Sequence, residues 1–104
     1  MSGLPGISLP RRNCKEKTVE SALVDAVAAA GGLCLKFVSP GHAGVPDRII
    51  LLNGAVHFVE VKRPNETLRK LQTRCADLLR RHGASVGMVS TVDGAREYVS
   101  KISL

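Results

Sequence analysis

The sequence predicts one α/β domain with the element order α-β-β-β-α-β-α, and three observations carry that prediction. Two apolar runs, Arg48 to Leu52 and Ala55 to Val61, flank Asn53-Gly54, the strongest short-range mark of a two-residue type I′ hairpin. Two stretches of helical period, over 13–30 and 67–82, each stop at glycine, at Gly31-Gly32 and at Gly83. Both faces of the hairpin are apolar, with Ile49, Leu51, Val56 and Phe58 on one, and Ile50, Leu52, Ala55, Val59 and Val61 with Arg48 and His57 on the other. That is the composition of a central strand pair covered by a layer on each side.

Residues 1–12 read as a flexible basic leader, broken by Gly3, Pro5, Gly6 and Pro10 and ending in Arg11-Arg12, and 13–104 as the single domain. Asn13 with Glu16 fits a capping box, after which Val19, Ala22, Leu23, Ala26, Val27 and Ala30 repeat at helical spacing. Glu20 lies about 60° from the centre of that stripe at 100° per residue, at its flank, from where a carboxylate can reach into a site. Leu33 to Val38 is a short strand interrupted by Lys36, and Ser39 to Gly44 is a Gly-rich loop containing His42, without the Gly-Lys-Ser/Thr ending of a nucleotide-binding loop. Thr67 is the expected cap of the second helix, whose apolar stripe of Leu68, Leu71, Cys75, Leu78 and Leu79 also carries Gln72. Its polar side bears Arg69, Lys70, Arg74 and Arg81. Ser85 to Ser90 is the next strand, and a last short helix spans Ala95 to Ile102 after Asp93-Gly94.

The hairpin turn fixes a register. With Asn53 and Gly54 as the loop, Leu52 pairs with Ala55 and the ladder runs down until Asp47 lies opposite Glu60, where Cβ atoms are roughly 4.5–5.5 Å apart. Lys62 projects from the same face as Glu60, one step further along. Two carboxylates this close repel, so one stays protonated at neutral pH unless a cation sits between them. Magnesium or manganese suits such oxygens, with waters and phosphate oxygens completing the shell, and the set fits metal-assisted hydrolysis of a phosphodiester. Lys62 has two parts open to it, orienting or deprotonating the attacking water, or holding a phosphate oxygen as charge develops.

Composition is consistent with a polyanionic partner. The 104 residues carry 15 Lys and Arg against 9 Asp and Glu, a formal charge of +6. One Tyr, two Phe and no Trp leave little for base stacking, so recognition through backbone and shape fits better. Three cysteines, Cys14, Cys34 and Cys75, are odd in number, lack metal-type spacing and read as reduced small hydrophobes. No run is long enough to span a membrane, and the opening residues do not read as a signal peptide, so the expected setting is intracellular, the cytoplasm of a bacterium or of a phage-infected cell.

With Gly44-Val45-Pro46-Asp47 followed by Glu60-Val61-Lys62, the chain resembles a PD-(D/E)xK nuclease, and within that group the VRR-NUC domain. The likeness covers nearly everything after the leader and includes Glu20, Lys36 and Gln72. It departs before Gln72, where Arg69 and Lys70 stand in place of the small capping residue and Pro frequent in the family. The resemblance implies a restriction-endonuclease-like core, a central mixed β-sheet flanked by helices. It implies a metal-dependent endodeoxyribonuclease using Mg2+, with Mn2+ substituting, in which Asp47, Glu60 and Lys62 take the catalytic positions with Gln72 and Glu20 beside them. Metal ligands would be Asp47, Glu60, the Val61 backbone carbonyl and Glu20 through water. The expected DNA contacts are Lys36, Ser39, His42, Arg48, Arg63, Arg69 and Lys70, with no nucleotide cofactor and no membrane. Stand-alone members of this length resemble Holliday-junction resolvases, which implies branched DNA as substrate and a homodimer. Three alternatives remain open: a nicking or flap-type nuclease, a basic nucleic-acid-binding module without catalysis, and a structural protein of an assembly in which positive charge alone matters.

Overall fold

The structure, a computed structural model, describes residues 15–104, so the leader and Asn13 lie outside it. The first helix, α1 (Glu16–Ala29), seats Val19, Leu23 and Val27 at 0% exposure, four residues apart on one face. Its N-cap is Lys15, whose side chain makes no capping bond, and Glu16 sits in the first turn, where a carboxylate suits the positive end of the helix. The expected capping residue Asn13 lies outside the described residues. The helix ends in a Schellman motif, with Gly32 N–H donating to Val27 O at 2.9 Å and Gly31 N–H to Ala28 O at 3.0 Å.

Strands β1 (Leu33–Lys36), β2 (Arg48–Leu52), β3 (Ala55–Val61) and β4 (Ser85–Val89) form one mixed sheet in the order β1-β2-β3-β4. The first two junctions are antiparallel, and β3 and β4 run parallel, with α2 (Lys70–Arg81) crossing between them. β1 is two residues shorter than expected, although Phe37 N–H still donates to Asp47 O at 2.8 Å. The β2–β3 register is the one the turn predicts, from Leu52 opposite Ala55 to Arg48 opposite Val59. Asn53 at φ 53° and Gly54 at φ 75° give the double left-handed pair that a type I′ turn requires.

The core lies on one side of the sheet. Ile50, Leu52, Val59, Val61 and Val89 pack there against Val19, Leu23 and Val27 of α1 and Ala95 and Val99 of α3 (Val92–Ile102). α2 takes the other side, where it covers β4 and buries Cys75 and Ala76. The expectation that both faces are covered holds in full only for the face of Ile50, Leu52, Val59 and Val61. On the α2 side Leu33, Leu35, Leu51 and Val56 remain 51%, 44%, 38% and 51% exposed, because one helix cannot span four strands. α3 begins three residues before the expected start, since Thr91 Oγ1 accepts from Gly94 N–H at 2.8 Å and converts an apparent Asp-Gly turn into a capped first turn. α2 likewise starts later than Thr67 suggested. Its N-cap is Arg69, whose N–H is satisfied by the Gln72 side chain at 2.9 Å.

Candidate active site

Asp47 stands just before β2, and Glu60 and Lys62 at the end of β3, so the two-residue turn is what brings them to one end of the sheet. Asp47 Oδ1 accepts from Val61 N–H at 3.2 Å, which ties the loop carboxylate to the partner strand. Glu60 is 9% exposed, and its Oε2 accepts from Gln72 Nε2 at 3.2 Å. Gln72 thus bridges two tasks, capping α2 through its carbonyl and clamping Glu60 through its amide. Lys62 is 7% exposed, and its N–H donates to Val89 O at 2.9 Å, extending the parallel ladder past the strand end. Among the described residues no carboxylate lies within ion-pair distance of its ammonium.

The electrostatics follow from burial and crowding. Burial pushes the Glu60 carboxyl up to about 7, the Asp47 charge adds to the rise, and Lys62 works against it. Burial likewise raises Asp47, opposed by the bond from Val61 N–H. Both groups therefore call for positive charge. The N-terminal half of α1 overlooks the same end of the sheet, with the Glu20 charge felt at Asp47 and that of Glu16 at Glu60. No three His, Cys, Asp or Glu side chains among the described residues form a metal cage by themselves. A cation here would draw on the two carboxylates Asp47 and Glu60, fewer protein ligands than a structural zinc site uses.

Glu20 is held by a basic pair. Arg48 reaches it through Nε at 2.9 Å and Nη2 at 2.8 Å, and Lys36 through Nζ at 3.5 Å. Burial would raise its pKa, but the Arg48 hydrogen bond and charge, with Lys36, outweigh that and leave it below the ordinary carboxylate value. Arg48 was expected on the DNA-facing surface. The structure turns it inward, 14% exposed, because strand alternation puts it on the α1 side of the sheet. The other expected contacts stay outside. Arg63, Arg69, Lys70 and His42 are exposed, Ser39 is half-buried, and Lys36 keeps 64% of its side chain in solvent. The Gly-rich loop is docked on α2: a Cβ on Gly44, which has φ +85°, would lie 2.6 Å from Leu71 O. At Gly44 the missing Cβ therefore serves packing on α2, whereas Gly41 has nothing within 4 Å of where a Cβ would stand.

A mixed sheet that gathers two carboxylates and a lysine at the end of its central hairpin, clamped by a glutamine from the crossover helix, defines a nuclease-type α/β domain. The sequence profile of the VRR-NUC domain matches residues 5–93, and the chain belongs to that family. It is 47% identical over 64 residues to "Putative nuclease p44" of Acyrthosiphon pisum secondary endosymbiont phage 1, a match covering 61% of this chain and 69% of that protein. A solved structure described as a VRR_NUC domain superposes with a TM-score of 0.69 at 30% identity, covering 84% of this chain and 91% of the other.

Proposed function

We propose that this chain is a magnesium-dependent endonuclease that hydrolyses DNA phosphodiester bonds, and that it acts as a homodimer on branched DNA such as four-way junctions. One observation carries the reading: burial drives Asp47 and Glu60 toward protonation beside a buried Lys62 that, among the described residues, has no carboxylate within ion-pair distance. A divalent cation relieves the first problem and a phosphodiester the second. Asp47, Glu60 and the Val61 carbonyl would hold Mg2+ or Mn2+, with Glu20 contributing through water. When bound, the ion supplies polarisation of the phosphoryl group and a more acidic water.

The chain's own residues set the geometry. Val61 N–H fixes Asp47 and Gln72 fixes Glu60, so neither carboxylate has to be ordered when substrate arrives. Lys62, anchored through its backbone to β4, presents its ammonium to the water or to a phosphate oxygen. Arg63, Arg69, Lys70, Lys36 and His42 give exposed donors around this end for neighbouring phosphates, with Ser39 half-buried among them. Backbone and shape recognition is favoured because the aromatics are spent in packing, Phe37 and Phe58 edge to face at 5.8 Å and Tyr98 half-buried.

Symmetric cutting of two strands needs two sites, which a two-fold pair supplies. The exposed Leu33, Leu35, Leu51 and Val56 support pairing, since an apolar patch on the sheet is where two copies of a basic chain can meet. That surface lies on the first three strands. The proposed setting is inside a bacterial or phage-infected cell. The test compares cleavage of four-way junctions, flaps, single strands and linear duplex by the wild type and Asp47→Ala, with and without Mg2+. Paired symmetric nicks across the junction that need both Mg2+ and Asp47 support the proposal. Equal cutting of linear duplex sinks the junction preference, and no cutting under any condition sinks the nuclease.

A further inference from the structure

We infer that Arg48 is a positioning residue, which grips Glu20 by one carboxylate oxygen so that the other is presented toward a cation held at Asp47 and Glu60. The inference deepens the nuclease reading above and rests on it. Its basis is an asymmetry in the ion pair. A guanidinium and a carboxylate that meet for stability alone favour the fork-to-fork arrangement, two parallel bonds to two oxygens. Here Arg48 Nε, Arg48 Nη2 and Lys36 Nζ all converge on Glu20 Oε2, and Oε1 takes no hydrogen bond from any described residue.

The grip is built rather than incidental. Both side chains are largely buried, 14% and 17% exposed, so the pair is not a chance surface contact. Arg48 follows Asp47 directly in the chain, and the Glu20 charge is felt at Asp47. The residue that steers Glu20 is therefore locked in spacing to the residue that would hold the cation. Arg48 and Lys36 face each other in the β1–β2 register, so the two donors approach from neighbouring strands while α1 supplies the acceptor. Two nitrogens of one planar group locate Oε2 more tightly than a lysine ammonium can and leave Oε1 without a donor.

The test is Mn2+ titration of the whole chain by electron paramagnetic resonance, alongside melting curves and junction cleavage, for Arg48→Gln, Arg48→Lys, Glu20→Gln and the Arg48→Gln/Glu20→Gln double variant. Positioning predicts that Arg48→Gln and Glu20→Gln each weaken Mn2+ binding by about 10-fold, in the range seen when a metal ligand loses its outer partner. The double variant is then no weaker than the worse single, because both changes break one device. Simple electrostatics predicts the opposite sign, since removing a nearby cation tightens Mn2+. Unchanged or tighter Mn2+ binding in Arg48→Gln, or losses that multiply to about 100-fold in the double variant, overturns the inference. Should Arg48→Gln fail to fold, Arg48→Lys decides: wild-type affinity there overturns the claim, and a loss supports it. A wild type that takes up no Mn2+ overturns the nuclease reading and this inference together, whereas normal wild-type binding and cleavage with an indifferent Arg48 overturns the inference alone.

Discussion

Replacing Glu60 by Gln isolates the cost of the charge at the site. The amide keeps the shape of the side chain and can still meet Gln72, but it cannot ionise. In the folded protein the Glu60 carboxyl is raised from an ordinary 4.5 to about 7, first by burial and then by Asp47. A carboxyl raised on folding gives stability that is fully present below the unfolded value and is lost as pH rises through the folded one. Between pH 4.5 and about 7 the wild type should therefore lose up to about 3 kcal/mol, at 1.36 kcal/mol per pH unit. For a domain of this size that is on the order of 10 °C or more in Tm. Glu60→Gln mimics the protonated state, so at pH 8 in chelator it should melt well above the wild type, and the two should converge near pH 4.5. Millimolar Mg2+ or Mn2+ should raise the wild-type Tm at pH 8 and leave that of the variant nearly unmoved. The assay is thermal melting followed by circular dichroism across pH, with chelator or divalent ion. A variant no more stable than the wild type at pH 8 would refute the account of Glu60 as a buried carboxylate waiting for a cation.

Four other outcomes follow from the geometry. Gln72→Ala removes both the Arg69 cap and the Glu60 clamp, so chemical denaturation should show a loss of about 1 kcal/mol and single-turnover cleavage a fall in kcat larger than the change in KM. Gly44→Ala forces a Cβ against Leu71 O at a positive φ, and the expected result is a loss of about 2 kcal/mol or more in the same experiment, with faster proteolysis of the 39–46 loop. Leu23→Ala empties a fully buried position between α1 and the sheet and should cost about 2–5 kcal/mol. Thr91→Ala should cost about 1 kcal/mol, confined to the unfolding of α3, because the hydroxyl that caps Gly94 is lost.

The sequence made the hairpin legible because Asn53-Gly54 leaves little freedom: two residues with positive φ set the turn, the turn sets the register, and the register sets Asp47 near Glu60. The order of elements was legible for a related reason, since the helical stripes stop where Gly31 and Gly83 stand. Helix starts were less so. Thr67 and Asp93-Gly94 each resemble a boundary signal, but the N-caps of α1 and α2 are the long basic residues Lys15 and Arg69, and Thr91 outcompetes the glycine as the local determinant of α3. The inward placement of Arg48 has a sequence signal. Alternation with Ile50 and Leu52 places it on the core side, and a guanidinium there requires a carboxylate. Glu20, on the flank of α1, was the candidate. The open sheet face could not be read from the strands, because apolar side chains do not reveal whether α2 extends over β1 and β2 or stops at β4.

The parallel join between β3 and β4 has a consequence for the order in which the molecule assembles. Asp47 and Glu60 are brought together across a two-residue loop, a closure of the kind completed in microseconds. The bond from Lys62 N–H to Val89 O, and the reach of Gln72 back to Glu60, must wait until α2 has formed and returned the chain alongside β3. The acidic pair is thus a local contact of the hairpin, whereas the lysine anchor and the glutamine clamp are non-local contacts made only by a chain that has closed the β3–α2–β4 crossover.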